Sequence, residues 1–493
     1  MSAGLAFIGL GLITRYLGAD VYGSITFTLG LLTLFNSVSD LGFGSAHVKR
    51  VSEGQDINDS VATFAGVKIV LTLLMVVVSL VSIFVWTSIL GGYMSSETYD
   101  MLFIFILYFV FYNLASIAIY TYQGTMEIFK SQVIQLMDPV VRVPLILIIA
   151  LGRGSAIQLA YAYVIASLAV VLLSLLLLKR DKIRILGKPT LFRSYLVFAT
   201  PLILVTMIST VSGSMSAVII GFSGTKFDVG YYTASLALVS MVGLVGVSVA
   251  MLTFPSFSTL HTDGNKKEIR QLTLQAERYL SMIGLPMILV IALFPTQTAE
   301  ILLGGTMAPA GTALGFLAIG TLLYLLNTVH SSQILAVNRP DLSAKVTIAS
   351  FVFFLFALLI LVPSSLFGVK MLGLSYTGAA IAYMLNAFFC FAVIRVIVWR
   401  LTSTGWNSRL WLHLGATAVA GLVLFAMSLF IPITSWYYLI IIYGGASAVV
   451  FALVLILFRE LTWKDVSYFA DLLNVRKLLS YIRSEVKGKN GQK

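Results

Sequence analysis

Residues 67 to 90 read VKIVLTLLMVVVSLVSIFVWTSIL, a run broken by one charge, Lys68. As a helix it is long enough to cross the roughly 30 Å hydrocarbon core of a bilayer, for which about 20 apolar residues suffice. In water, the same run would expose apolar surface that nothing covers. Met101 to Tyr120 and Ile157 to Leu178 repeat the pattern, and similar runs recur along the whole chain. Composition agrees: 59% of the 493 residues are hydrophobic, 11% are charged and the mean hydropathy is +0.98. An ordinary soluble domain carries about 25% charged residues. The sequence therefore predicts an all-α polytopic membrane protein of about 14 transmembrane helices.

Working outward from that run, apolar stretches and Gly/Pro breaks place spans near 2–17, 22–46, 61–90, 99–122, 139–152 and 156–178. A second set falls near 195–222, 229–257, 279–303, 311–337, 344–367 and 374–398, and a final pair near 410–431 and 435–458. The domains expected are a six-helix bundle over 1–178, a basic cytoplasmic linker over 179–194, a second six-helix bundle over 195–400, helices 13 and 14 over 401–458, and a basic tail over 459–493. Asp20-Val21-Tyr22-Gly23 opens the second span, and Asp228-Val229-Gly230-Tyr231 opens the corresponding span of the second set. Two sets of six spans with this echo favour a duplication around a central cavity. The tail mixes Trp463, Tyr468 and Phe469 with basic groups, as an interfacial amphipathic helix does, and it reads equally as a solvated tail. The apolar start, Met1 to Thr14, has no basic n-region and reads as a retained first span.

The formal charge of +12 is spread through short loops instead of gathered on one soluble face, so nucleic acid is not an expected partner. With both termini inside, about 28 of the 32 Lys and Arg fall on one side, leaving Arg15, Arg153, Lys226 and Lys370 opposite. Such segregation marks a cytoplasmic membrane protein with cytoplasmic termini. The single cysteine, Cys390, excludes an intrachain disulfide, and no Cys/His cluster offers a metal site. No Gly-x-x-x-x-Gly-Lys-Ser/Thr phosphate loop is present, so the chain is not expected to hydrolyse ATP by that route and no cofactor is expected.

Arg15-Tyr16-Leu17-Gly18, Tyr22-Gly23, Ser39-Asp40-Leu41-Gly42-Phe43-Gly44 and the pair Lys49-Arg50 together resemble the oligosaccharide flippase, or polysaccharide transporter (Wzx-type), family. Gln123-Gly124, Glu127 and Ala199-Thr200-Pro201 extend the resemblance over most of the chain. That family belongs to the multidrug/oligosaccharidyl-lipid/polysaccharide exporter superfamily, with two six-helix bundles facing each other in a V. The resemblance implies a flippase, not an enzyme, carrying an isoprenoid-diphosphate-linked oligosaccharide from the cytoplasmic to the outer leaflet by alternating access. Implied partners are the lipid-linked oligosaccharide, membrane lipids, a coupling ion (Na+ or H+), and a polymerase, ligase or glycosyltransferases of the same pathway.

Such a substrate needs cations for its diphosphate and polar or aromatic groups for its sugars. Arg15, Arg50, Lys68 and Arg142 supply the cations, each with the alternative of snorkelling to an interface. Asp40 can pair with Arg15 or Lys68, or take up a proton. Asn113 and Gln123 lie in a Tyr-rich fourth span, and Asn327, His330 and Gln333 recur at intervals of three and are expected on one cavity-lining face. The seventh span is rich in hydroxyls, from Thr206 to Ser216. Two rivals remain: a cation-coupled multidrug exporter of the same fold, which needs a membrane-embedded acid, and a membrane polysaccharide polymerase or ligase, which needs an acid or an Arg/His set on the outer face, where only four cations and few acids fall.

Overall fold

A backbone surrounded by hydrocarbon must satisfy its own N–H and C=O groups, and the α-helix does so within one segment. A computed structural model describes residues 2–89, 91–92, 94–181, 183, 191–462 and 465, and nearly all of them are helical. The first half holds α1 (Ser2–Tyr16), α2 (Ala19–Asn36), α3 (Phe43–Ser52), α4 (Ile57–Phe84), α5 (Ser96–Gly124), α6 (Ile128–Leu151) and α7 (Ala156–Arg180). The second holds α8 (Phe192–Ala199), α9 (Ile203–Ser223), α10 (Lys226–Thr262), α11 (Lys266–Leu293), α12 (Pro295–Leu303), α13 (Gly311–Ala336), α14 (Pro340–Leu361) and α15 (Ser375–Thr402). A hairpin of β1 (Ser365–Leu366) and β2 (Val369–Lys370) joins the last two. The final pair is α16 (Arg409–Ser428) and α17 (Gly445–Leu457). Among the described residues, 13 helical segments are long and apolar enough to cross a membrane, and Ser2–Tyr16 is a shorter apolar helix.

Helix starts carry the expected side-chain caps. Asp56 and Ser95 cap α4 and α5, while Ser155 with Gln158 and Thr225 with Asp228 form reciprocal capping boxes on α7 and α10. The long helices are turned inside out relative to a soluble protein. On α4, Val70, Leu73, Val77, Val81 and Phe84 are exposed, whereas Thr72 and Ser79 are buried. Ser79 donates back to the Met75 carbonyl, so its hydroxyl stays satisfied without water.

Three expected spans are interrupted. The span expected over 22–46 ends at Asn36, passes through a tight turn at Ser37–Ser39 and restarts as α3, because Leu41 and Gly42 take positive φ. The span expected over 195–222 splits into α8 and α9 around Thr200–Leu202, where Pro201 lacks an N–H for the ladder. The span expected over 279–303 starts earlier, at Lys266, and breaks between Phe294 and Pro295. The fifth span is α6, eleven residues longer at its start than the hydropathy suggested, at 128 instead of 139. Most of the basic linker (182 and 184–190) and the tail from 466 onward lie outside the described residues.

The halves meet at one end through backbone. A Cβ on Gly23 would sit 1.8 Å from the Lys226 carbonyl oxygen, and one on Gly230 would sit 2.1 Å from that of Ala19. Only glycine lets α2 and α10 approach this closely. Thr26 and Thr233 share a hydrogen bond of 3.0 Å one turn deeper, Lys226 pairs with Glu97 at 2.5 Å, and Arg15 donates to the Ile301 carbonyl.

Candidate functional site

At the seam below this contact, α1, α2, α6, α7 and α10 enclose a cavity of about 320 Å3. Among the described residues its one charged wall residue is Arg142, joined by Tyr22, Tyr163 and Ser240. Pro139 and Pro144 flank Arg142 in α6 and each deprives the helix of one backbone donor, leaving carbonyls free to take other partners. The guanidinium lies over the Tyr163 ring, 4.3 Å from its centroid, and bonds Asp138 one turn earlier at 2.8 Å. That pairing is incomplete. Arg142 Nε and Asp138 Oδ1 are both buried without a partner among the described residues. An arginine fork with an unused donor beside a cavity of this size can receive a phosphoryl oxygen, and Tyr22 and Tyr163 can stack on sugar rings.

A second polar group lies where α2 breaks. Lys68 is buried and donates to the Ser39 carbonyl at 3.0 Å, with Asp40 at 3.6 Å. Asn113 donates to Asn36 Oδ1 at 2.8 Å and accepts from Ser39. Asp40 itself is one-third exposed and accepts from the Gly44 amide, so it pairs with Lys68 and not with Arg15. Gln123 reaches Ser131 on α6 at 3.4 Å, and Arg50 bonds Glu53 and the Ser194 carbonyl near α8. Arg15 is exposed at the end of α1, outside both groups and engaged with α12. Of the four cations singled out in the sequence, Arg142 alone lines the seam cavity.

The face expected to carry Asn327, His330 and Gln333 does not hold together. Each step of three residues turns a helix by about 60° short of a full circle, so the ends of the series stand about 120° apart. Asn327 faces a cavity beside α14 and α15. Gln333 is locked between Thr273 and Thr402. His330 bonds Glu277 at 2.7 Å, and Arg395 meets the same Glu277 oxygen at 2.7 Å. Glu277 and His330 are fully buried, and the trio ties α11, α13 and α15 together. Sequence reading missed Glu277 because it placed the start of that span at 279. Ile269, Thr273, Ala276, Glu277 and Leu280 recur at helical spacing and are all buried, which is the signal that would have extended α11 backward. Among the described residues no group of three His, Cys, Asp or Glu could hold a metal.

Comparison with known proteins gives this geometry a context. A family profile described as "Polysaccharide biosynthesis protein" matches residues 12–310. The probable low-salt glycan biosynthesis flippase Agl15 of Haloferax volcanii is 23% identical over 388 residues, 78% of each chain. Among solved structures, the lipid II flippase MurJ in an inward closed conformation superposes with a TM-score of 0.76 at 14% identity, covering 93% of this chain and 97% of that one. An inward-facing multidrug resistance MATE transporter of the MOP superfamily superposes at 0.65 and 18% identity, covering 82% and 96%. At these identities the superpositions show a shared fold of two facing helix bundles.

Proposed function

Since the chain belongs to the polysaccharide biosynthesis protein family, with the fold of the MOP superfamily, we propose that it is a flippase of glycan biosynthesis. Its substrate is an isoprenoid-diphosphate-linked oligosaccharide, moved from the cytoplasmic to the outer leaflet of the cell membrane with both termini of the chain inside. The observation that carries this reading is Arg142, a half-satisfied guanidinium in an aromatic cavity between the halves. It can hold a diphosphate that hydrocarbon would reject, while the apolar tail stays in lipid. The unit before the linker, residues 1–178, and the unit over 195–400 would rock about the α2–α10 contact, exposing the seam to one side at a time.

A multidrug exporter of the same fold is the reading to be separated. It needs an acid free to bind a coupling cation, whereas Asp138 and Glu277 are each held by an arginine. The test is deletion of the gene, extraction of lipids and assay of lipid-linked oligosaccharide by leaflet. Accumulation on the cytoplasmic leaflet with loss of surface glycan supports the flippase. A normal lipid-linked pool with altered drug sensitivity supports the exporter, and translocated but unpolymerised units would mean a polymerase or ligase.

A further inference from the structure

The larger cavity, about 880 Å3, lies within the second half, walled by α9, α10, α13, α14 and α15. Its volume falls within the roughly 300–1,000 Å3 of small-molecule sites. Among the described residues, its walls carry no acidic or basic side chain. They offer hydroxyls, amides and rings set among aliphatic side chains such as Leu236, Val247 and Ile394, and most of the polar groups are already fixed. Asn386 donates to Tyr324 Oη at 2.7 Å and accepts from Ser350 at 2.9 Å, and Tyr232 donates to Ser216 at 3.1 Å. Asn327 is the exception. It is 3% exposed, and neither its amide nitrogen nor its oxygen has a partner among the described residues. An amide buried in this way is costly unless something in the cavity completes its bonds.

The chemistry of that occupant follows by comparison. A diphosphate would find no cation here, and a cationic drug would find no acid. An isoprenoid tail would leave both Asn327 atoms unsatisfied. A neutral polyol suits the walls: its hydroxyls can both donate to and accept from Asn327, and its C–H faces can lie on Tyr324 and Tyr383. On α10, Leu244 borders the seam cavity and Val247 borders this one, three residues apart on neighbouring positions of one helix face. A chain of sugars held by its diphosphate at Arg142 can therefore pass along α10 into the second half. Resting on the flippase reading, we propose that this cavity is a saccharide subsite, binding uncharged sugar units apart from the diphosphate.

The chain's single cysteine supplies a reporter, because Cys390 lines this cavity 2.9 Å from Ser350 Oγ. The experiment measures N-ethylmaleimide labelling of Cys390 in lipid nanodiscs. The probes are short-chain isoprenyl diphosphates bearing glucose, galactose, mannose or N-acetylglucosamine, and the same carrier without sugar; binding of each radiolabelled probe is measured in parallel. At least one sugar-bearing probe should slow labelling while the bare carrier does not. Asn327→Leu should weaken that probe by about five- to tenfold, the size of one or two lost hydrogen bonds. Because the Asn327 side chain bonds nothing among the described residues, the variant should melt no lower than the parent, which separates lost binding from lost folding. Equal protection by the bare carrier would place the tail in the cavity and overturn the proposal. A sugar-bearing probe that binds yet leaves Cys390 unprotected would overturn it while the flippase reading stands, and failure of every probe to bind would overturn both.

Discussion

At the scale of single residues, the fully buried Glu277 makes the sharpest demand. Its carboxylate is tolerable inside the bundle because Arg395 and His330 converge on one oxygen. Removing one partner strands the others, whereas replacing the whole set by apolar side chains removes the desolvation cost together with the attraction. Glu277→Leu alone should therefore destabilise the folded protein by about 3–5 kcal/mol. The triple variant Glu277→Leu, His330→Leu, Arg395→Leu should recover most of that loss, as read from melting in detergent by size-exclusion chromatography. A triple variant no more stable than the single one would show that the trio does more than neutralise itself. Arg142 differs in its setting: Glu277 Oε2 and Arg142 Nε both lack a partner among the described residues, but Arg142 lines the seam cavity. Arg142→Lys keeps the charge but loses the planar fork, so translocation should fall by about tenfold or more, with less change in melting than Glu277→Leu gives. Equal transport by the lysine variant would remove bidentate phosphate recognition from the account.

Between elements, the clearest clamp joins α11 to the segment after α17. Arg278 bonds Glu460 at 2.6 Å and both oxygens of Asp465 at 2.9 and 2.8 Å. These bonds hold the Asp465 carboxyl well below the usual carboxylate range, Thr462 adding to the effect. Because the folded pKa is depressed, the stabilisation is complete above the unfolded value of about 4 and fades as pH falls toward the folded one. Asp465→Asn should lower melting at pH 7, by about 1–3 kcal/mol of stability, and the gap from the parent should narrow below about pH 4. A gap unchanged by pH would assign the effect to packing. This clamp was not legible in the sequence, since its partners stand 182 and 187 residues apart. What was legible is what hydropathy reports: apolar length, hence the number of spans, and the charge bias of the loops. The interruption at Phe294-Pro295 escaped because the side chains on both sides are apolar enough to read as one run, and that at Asp40-Leu41-Gly42 because the positive φ of Leu41 and Gly42 leaves no mark in hydropathy. Candidate site residues were recognised by type, but which of them face a cavity depends on helix rotation and on neighbours. Lys68 and His330 therefore bond protein groups away from both cavities, while Arg142 and Asp138 leave atoms unused at the seam and Asn327 leaves its amide unused beside the larger cavity.

Across the whole molecule, the echoed motifs acquire a physical meaning. Gly23, fourth in Asp20-Val21-Tyr22-Gly23, and Gly230, third in Asp228-Val229-Gly230-Tyr231, together let α2 and α10 press backbone on backbone. The two glycine surfaces, the threonine pair and the Lys226–Glu97 bridge are the backbone-close part of a wider interface, in which Phe27 of α2 packs edge-on against Phe222 and Val218 of α9 joins the core of the first half. Separation of the halves therefore has to open this apolar packing as well as the glycine contact. If the halves do rock apart here, holding them together must stop transport. Thr26 and Thr233 have hydroxyl oxygens 3.0 Å apart, close enough for cysteines in their place to approach disulfide geometry. Thr26→Cys with Thr233→Cys, in a Cys390→Ser background, should crosslink under mild oxidation, abolish translocation and regain it on reduction. Each single cysteine should transport normally under both conditions. A crosslinked protein that still translocates would show that this end stays shut throughout the cycle, and the path of the substrate would then have to avoid the α2–α10 contact altogether.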